Sequence, residues 1–128
     1  MKKIYRIILV IAVLLILLII LRGNEDDWIK DSRGVWIKHG MPASIPTYVE
    51  EQQEIINCSL GLYDKALEEG INFSSQCLGT CGNYAVDIVH VPRIAEDDKV
   101  ENQCSAYREG KVTGFIELDK ERKIVRIV

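Results

Sequence analysis

IILVIAVLLILLIIL, residues 7–21, is the stretch that decides how this 128-residue chain is organised. It contains no polar residue, and with Ile4, Tyr5 and Arg6 it makes 18 positions. At ~1.5 Å per residue these span about 27 Å as a helix, close to the ~30 Å hydrocarbon core of a bilayer. A small soluble domain could hardly cover so apolar a helix on every face. The stretch therefore predicts a transmembrane helix over residues 4–21, with the lipid bilayer as its partner.

A cleaved signal peptide is the alternative interpretation, because a run of this length also fits the apolar region of such a peptide. Cleavage needs small residues in an A-x-A-like pattern, whereas residues 20–24 read ILRGN. Leu21 is bulky where a small side chain is required, and no Cys stands at this junction to carry a lipid. The sequence therefore favours an uncleaved signal-anchor.

The charges on either side of the apolar run predict its orientation. Lys2, Lys3 and Arg6 precede it or lie at its start, and basic residues are retained on the cytoplasmic side. All 19 acidic residues but only 12 of the 16 basic residues follow Arg22, which leaves residues 23–128 with a formal charge of −7. We expect a cytoplasmic N-terminus, an extracytoplasmic C-terminal domain at the cell membrane, and no nucleic-acid partner.

Three segments follow from this arrangement. Residues 1–22 are the cytoplasmic tip and transmembrane anchor. Residues 23–46 hold most of a polar linker that runs over 22–27, a Trp-containing hairpin and a Pro-containing loop over 39–46. Residues 47–128 are expected to form one extracytoplasmic α+β domain.

Helical signals fill residues 47–69, as one helix or two short ones. Thr47 and Glu50 match the capping-box pattern, and Gly70 is a plausible stop. The apolar face is predicted to contain Val49, Ile55, Ile56, Leu60, Tyr63, Ala66 and Leu67.

Strand signals follow the helix. Residues 84–91 (YAVDIVHV) predict a central strand with both faces mostly covered, and residues 112–118 and 124–128 predict a second hairpin. Residues 77–83 (CLGTCGN) predict a tight turn or loop, and residues 93–103 a charged surface loop. The predicted fold class is α+β: one N-terminal transmembrane helix, then a small antiparallel sheet packed with one or two helices and stapled by disulfides.

The four cysteines, Cys58, Cys77, Cys81 and Cys104, all follow the apolar run. An even count in a small extracytoplasmic domain predicts two disulfides. We favour the two pairings that join Cys58 and Cys104 to the loop cysteines, and the sequence does not choose between them. The rival pairing is Cys77–Cys81 with Cys58–Cys104, which would suit a thiol-exchange site. However, C-x-x-x-C is not the C-x-x-C redox motif, and the paired half-sites of a zinc site are missing, so we expect no metal.

Other residues with chemical potential are few. Trp28, Trp36 and His39 are candidate ligand-binding residues, although packing or an interfacial position also explains the tryptophans. His90 is predicted to be a partly buried strand residue with a backbone partner. Asn57 and Asn72 match the glycosylation pattern, which is short enough to occur by chance.

One resemblance adds to this picture. Residues 28–29 (WI) followed by residues 34–42 (GVWIKHGMP) resemble the W-I…G-x-W-x-K-H-G-x-P segment of small, uncharacterised membrane-anchored or secreted archaeal proteins. Residues 77–83 and 101–104 (ENQC) resemble later stretches of the same group. Lys30 stands where that group has a Cys. The resemblance implies an anchored, exported protein and no particular activity.

These observations point to a single-pass membrane-anchored extracytoplasmic protein that serves as a non-catalytic binding or structural module. No cofactor is expected, and the partner is an unidentified protein or small molecule. The alternative is an extracytoplasmic thiol–disulfide redox protein using Cys77 and Cys81. A third interpretation, a hydrolase using His39 or His90, lacks any nucleophile motif in the sequence.

Overall fold

The computed structural model describes residues 1–22 and 27–128, so most of the predicted polar linker, residues 23–26, lies outside the described residues. The helices and strands are, in chain order, α1 (Lys2–Arg22), β1 (Asp27–Lys30), β2 (Trp36–His39), α2 (Thr47–Glu68), β3 (Gln76–Cys81), β4 (Tyr84–Ile88), α3 (Ser105–Arg108), β5 (Gly114–Leu118) and β6 (Ile124–Ile127). The chain divides into two compact units, Met1–Ile29 with Ile37–Ile45, and Lys30–Trp36 with Pro46–Val128. The prediction of an α+β protein with an N-terminal apolar helix and two disulfides is confirmed.

The first unit contains α1 and the base of the predicted Trp hairpin. α1 is long and apolar enough to cross a membrane or to be a signal sequence, and none of its residues Lys2–Leu21 is buried. β1 pairs with β2, which confirms the hairpin. Beyond it, the indole Nε1 of Trp28 donates to the carbonyl oxygen of Ser44 at 3.0 Å, within a segment that is irregular as predicted.

The second unit begins with the hairpin tip, which is joined to two other elements. The Gln52 amide on α2 donates to the Gly34 carbonyl at 2.8 Å and accepts from the Trp36 N–H at 2.7 Å. On the other side, the Ile127 N–H donates to the Arg33 carbonyl at 2.7 Å. A two-stranded hairpin alone is only marginally stable in water, and these hydrogen bonds attach its tip to α2 and β6.

α2 is one helix, and its start corrects a prediction. Pro46 is the N-cap, with the extended backbone (φ −67°, ψ 150°) that this position requires. Its carbonyl accepts the N–H groups of Val49 and Glu50 at 2.9 and 3.2 Å. The expected capping box is wrong, because Thr47 is already helical and no side chain caps this end.

The end and the buried face of α2 follow the prediction more closely. Gly70 has φ +73°, and the Ile71 N–H donates to the Ala66 carbonyl, as in a Schellman cap. Leu67 is an exception on the predicted apolar face, since it is 57% exposed. Ser59 is fully buried there instead, because its hydroxyl donates to the Ile55 carbonyl at 2.7 Å and leaves no unpaired polar group.

The sheet has the strand order β3-β4-β5-β6, with β4 in the interior as predicted. β4 ends at Ile88, three residues before the predicted end. β5 and β6 form the expected antiparallel hairpin, but β4 and β5 are parallel. The prediction of a wholly antiparallel sheet is therefore wrong, because residues 89–113 form a crossover long enough to bring the chain back in the same direction.

The predicted loop over residues 77–83 is mostly strand. β3 runs to Cys81, and only Gly82 and Asn83 form the turn into β4. Gly79 has φ +138° and lies at a shift in the β3–β4 register. A glycine marks a β-bulge as readily as a turn, which explains the misreading.

The two faces of the sheet have different covers. α2 covers one face, over a core that contains Tyr63, Cys81, Val86, Ile88, Ile116, Leu118 and Ile127. On the other face Ala85 packs with Cys104 and Val112 of the crossover. Residues 93–103 are therefore more than the predicted surface loop: they include two 3₁₀ turns, Ala95–Asp98 and Val100–Asn102, and Asp97 is only 1% exposed.

Candidate functional site

A row of four residues crosses the crossover side of the sheet, one from each strand. The strand register pairs Cys77 with Asp87, Asp87 with Glu117, and Glu117 with Arg126. Directly opposed residues on neighbouring strands point to the same face. We call these four residues the transverse row.

Glu117 is the charged centre of the transverse row. It is 5% exposed, and its carboxylate accepts from Arg93 Nη1 at 2.9 Å and from Arg126 Nη2 and Nε at 3.0 and 3.1 Å. The Arg126 guanidinium also lies 4.9 Å from the centre of the Phe115 ring. Two charge-assisted partners make the burial of this carboxylate tolerable.

Asp87 is the second carboxyl of the row; it is partly buried and has a different environment. Its Oδ1 accepts the backbone N–H of Cys104 at 2.9 Å. Burial raises the pKa of Asp87 to about 6, and the nearby Glu117 charge acts in the same direction while the Cys104 N–H opposes it. The Asp87 carboxyl therefore stays protonated to higher pH than an ordinary aspartate.

A cavity of about 160 Å³ lies beside the row. Its charged lining comes from the sheet and the crossover together: Asp87, Arg93, Asp97, Arg108, Glu117 and Arg126. Tyr107 and Phe115 add an aromatic side, with ring centres 5.1 Å apart. The cavity can hold only a small polar molecule or a few waters.

The partly buried His90 and the buried Asp97 form a pair next to this cavity. His90 Nδ1 lies 2.9 Å from Asp97 Oδ1, and the Asp97 carboxylate also accepts the backbone N–H groups of His90 and Ile94. Burial would raise the pKa of Asp97, but the Ile94 N–H, His90 and Ser75 lower it to about 2. His90 is partly buried as predicted, but it lies beyond the end of β4, and its ring bonds the Asp97 carboxylate where a backbone partner was expected. In the described part of the chain no hydroxyl or thiol hydrogen bonds to the ring.

The disulfides are Cys58–Cys81 and Cys77–Cys104. This is one of the two pairings that the sequence favoured, so the predicted class of pairing is confirmed. The structure selects between its two members. Cys77 and Cys81 are not bonded to each other, although they lie on the same strand. The first bridge joins α2 to the end of β3, and the second joins β3 to the crossover.

A metal-like donor set coincides with the second bridge. Ligand atoms of Cys77, Asp87 and Cys104 lie within 4.8 Å of one another. A cysteine ligates metal as a thiolate, and these two sulfurs are bonded to each other. The set therefore offers a single carboxylate while the bridge is closed.

The ligand-binding candidates from the sequence lie elsewhere. Trp28, in the first unit, is partly buried and bonded to the Ser44 carbonyl, and His39 is exposed at the end of β2. Trp36, in the second unit, packs on Tyr48 with ring centres 4.7 Å apart, and the Lys30 ammonium lies 5.1 Å from its ring. These contacts are compatible with packing, and the ligand-binding role stays a prediction.

Sequence reasoning missed Glu117, Arg93, Arg108 and Arg126 as site residues. One signal was present: Asp87 and Glu117 are single acidic residues inside otherwise apolar strands. Alternation places such residues on the side opposite the apolar core. The parallel register that brings them together was not predictable from local patterns.

No family model, curated protein or solved structure matches this chain.

Proposed function

We propose that this protein is anchored in the cell membrane by α1 and holds its disulfide-bonded α+β domain on the extracytoplasmic side. The exposure of α1 carries the proposal: twenty residues, Lys2–Leu21, are apolar enough to cross a bilayer, and none is buried by the protein. So much exposed apolar surface in water is strongly unfavourable, and lipid is its natural cover.

The orientation rests on charge and on sulfur chemistry. Lys2, Lys3 and Arg6 favour a cytoplasmic N-terminus. All four cysteines follow the helix and are paired in disulfides, which persist in oxidising extracytoplasmic spaces. The resemblance of residues 28–42 to exported archaeal proteins agrees with this placement.

In this location the domain acts as a non-catalytic binding or structural module. The central carboxylate beside the cavity, Glu117, is paired with Arg93 and Arg126. Such mutual pairing fixes a shape and a charge pattern rather than poising a nucleophile. The alternative of a redox protein using Cys77 and Cys81 has less support, because these cysteines lie in different bridges.

A topology experiment tests the anchor and its direction. A reporter enzyme that is active only outside the cytoplasm, fused after Val128, should be active, and the same fusion should stay in the membrane pellet after alkaline extraction. Mass spectrometry of the purified chain should give a mass that includes residues 1–22. A reporter active only in the cytoplasm contradicts the orientation, and a chain shortened near residue 22 contradicts the anchor in favour of a cleaved signal peptide.

A further inference from the structure

The Cys77–Cys104 bridge has a carboxyl group beside it. Asp87 is the cross-strand neighbour of Cys77 and accepts the backbone N–H of Cys104 at 2.9 Å. The two sulfurs and a carboxylate oxygen of Asp87 lie within 4.8 Å of one another. The carboxyl is therefore within a short proton transfer of the bridge, directly or through one water.

The two sulfurs of this bridge differ in access. Cys77 is exposed, so an external thiolate can reach it. Cys104 is 3% exposed, and its sulfur lies 3.4 Å from the carbonyl oxygens of Gly79 and Val86. Carbonyl oxygens accept a proton from a thiol and repel a thiolate. Cys104 can therefore leave readily only if it receives a proton as the bridge opens.

Asp87 is placed to supply that proton. It lines the same cavity as Cys104, and its burial keeps the carboxyl protonated to higher pH than usual. The charges that face it are Glu117 from β5, Arg93 from the crossover and Arg108 from α3. Arg126, Asp97 and Tyr107 also line the cavity.

We propose that, beyond its binding or structural role, the domain carries at Cys77–Cys104 a stoichiometric thiol–disulfide exchange site for low-molecular-mass thiols, with Asp87 as its proton donor. A thiolate attacks Cys77 Sγ and forms a mixed disulfide. The Cys77–Cys104 bond breaks, and Cys104 Sγ keeps the electron pair and takes the Asp87 proton. A second thiolate then attacks the external sulfur of the mixed disulfide and releases Cys77 as a thiolate. Two external thiols are oxidised to a disulfide, and the protein gains two electrons.

The Cys58–Cys81 bridge is an internal control. It has the same asymmetry, with Cys58 exposed and Cys81 only 1% exposed. Among residues 1–22 and 27–128, the close set of Cys77, Asp87 and Cys104 is the single cluster that joins a carboxylate to cysteine sulfurs. The two bridges thus differ in that only Cys77–Cys104 has a carboxyl group beside it among the described residues.

The experiment measures the opening of each bridge separately. The full chain in detergent micelles is treated with glutathione between about pH 5 and about pH 8, quenched with acid, alkylated and digested, so that mass spectrometry reports both bridges. Rates are divided by the thiolate concentration at each pH. Wild type is compared with Asp87→Asn, and with Glu101→Gln as an exposed control.

In wild type we expect Cys77–Cys104 to open about tenfold faster than Cys58–Cys81 at low pH, and its corrected rate to fall about tenfold per pH unit once Asp87 has ionised. Asp87→Asn should abolish that pH dependence, while Glu101→Gln should preserve it. The proposal is overturned if Cys58–Cys81 opens first, or if the corrected wild-type rate of Cys77–Cys104 does not change with pH. The wild-type measurement decides the matter even if a variant fails to fold.

Discussion

At the scale of single residues, two buried carboxyl groups, Glu117 and Asp97, and the partly buried Asp87 differ in the partners that surround them. Glu117 has two guanidinium partners, and Asp97 accepts hydrogen bonds from His90 and Ile94. Asp87 has one backbone N–H, with the Glu117 charge nearby. Asp97 is thus held ionised, whereas Asp87 is driven toward its neutral form.

Replacing Asp87 with Asn should stabilise the domain at neutral pH. The folded pKa of about 6 exceeds the unfolded value near 4, so the wild-type domain loses stability as the pH rises between these values. Asn keeps an oxygen for the Cys104 N–H and carries no charge. We expect a gain of about 1 kcal/mol at pH 7 that vanishes near pH 4, measured by thermal unfolding in micelles. A variant less stable than wild type at both pH values contradicts this account.

Replacing Asp97 with Asn should have the opposite effect. Its folded pKa of about 2 lies below the unfolded value, so its stabilisation is present above about pH 4 and is lost as the pH falls toward 2. An amide NH₂ cannot accept the N–H groups that one carboxylate oxygen holds. We expect a loss of about 2 kcal/mol at pH 7, shrinking toward pH 2.

Asp98→Asn is the matched control for that variant. The Asp98 side chain is 69% exposed and pairs with Arg93 at the surface, so its change should stay within about 0.5 kcal/mol. Equal losses for the two variants at pH 7 would contradict the assigned role of Asp97.

At the scale of elements, the parallel strands of the sheet lie so close together that one position between them has no room for a side chain. Gly114 lies opposite Tyr84 in the parallel β4–β5 pair. A Cβ at Gly114 would collide with the Tyr84 ring and lie 2.7 Å from the Val128 carbonyl oxygen. Gly61, on α2, has no such neighbour within 4 Å.

The variants Gly114→Ala and Gly61→Ala compare the cost of a Cβ at the crowded strand position with its effect on the open helix position. Gly114→Ala should cost about 2 kcal/mol or more, because neither the aromatic ring nor the backbone can yield easily. Gly61→Ala should stabilise the domain by about 0.5–1 kcal/mol through the helix propensity of alanine. Denaturation midpoints of both variants test this, and a neutral Gly114→Ala would show that the strands can separate locally without cost.

The Cys58–Cys81 bridge ties α2 to β3 across a sequence separation of 23 residues. Closing a loop of that length in the unfolded chain corresponds to about 3 kcal/mol in the chain-entropy treatment. The double variant Cys58→Ala with Cys81→Ala should lose about that much. Cys81 is also part of the core, so its replacement by Ala removes packing as well as the bridge. A loss of stability below about 1 kcal/mol would therefore mean that the bridge adds little constraint.

At the scale of the whole molecule, the chain combines an exposed apolar helix with an acidic, disulfide-bonded domain. The helix is long and apolar enough to cross a membrane or to be a signal sequence. In the membrane-anchored arrangement proposed above, lipid covers the helix and water surrounds the acidic domain.

The position of a charge within α1 should decide membrane retention. Lysine at the centre of a transmembrane helix costs about 2.5–3.5 kcal/mol, so Val13→Lys with Leu14→Lys should release much of the protein from the membrane fraction. Ile4→Lys is the control, because a lysine near the end can extend to the headgroups. Equal retention of both variants after alkaline extraction would contradict a spanning helix.

Local patterns in the chain were sufficient for features that depend on neighbours in sequence. The apolar run, the Gly70 helix end, both hairpins and an even set of paired cysteines all follow from spacing and residue type. The favoured class of disulfide pairing followed as well, because it links the predicted helix and the later loop to the start of the central strand.

Tertiary structure alone decided what depends on register and direction. The crossover that makes β4 and β5 parallel places Asp87 beside Glu117, although 30 positions separate them in sequence. It also buries Asp97 with His90 and selects Cys104 as the partner of Cys77. Side-chain alternation tells which face a residue occupies but not which distant strand lies next to it, and that choice is made by packing over the whole sheet.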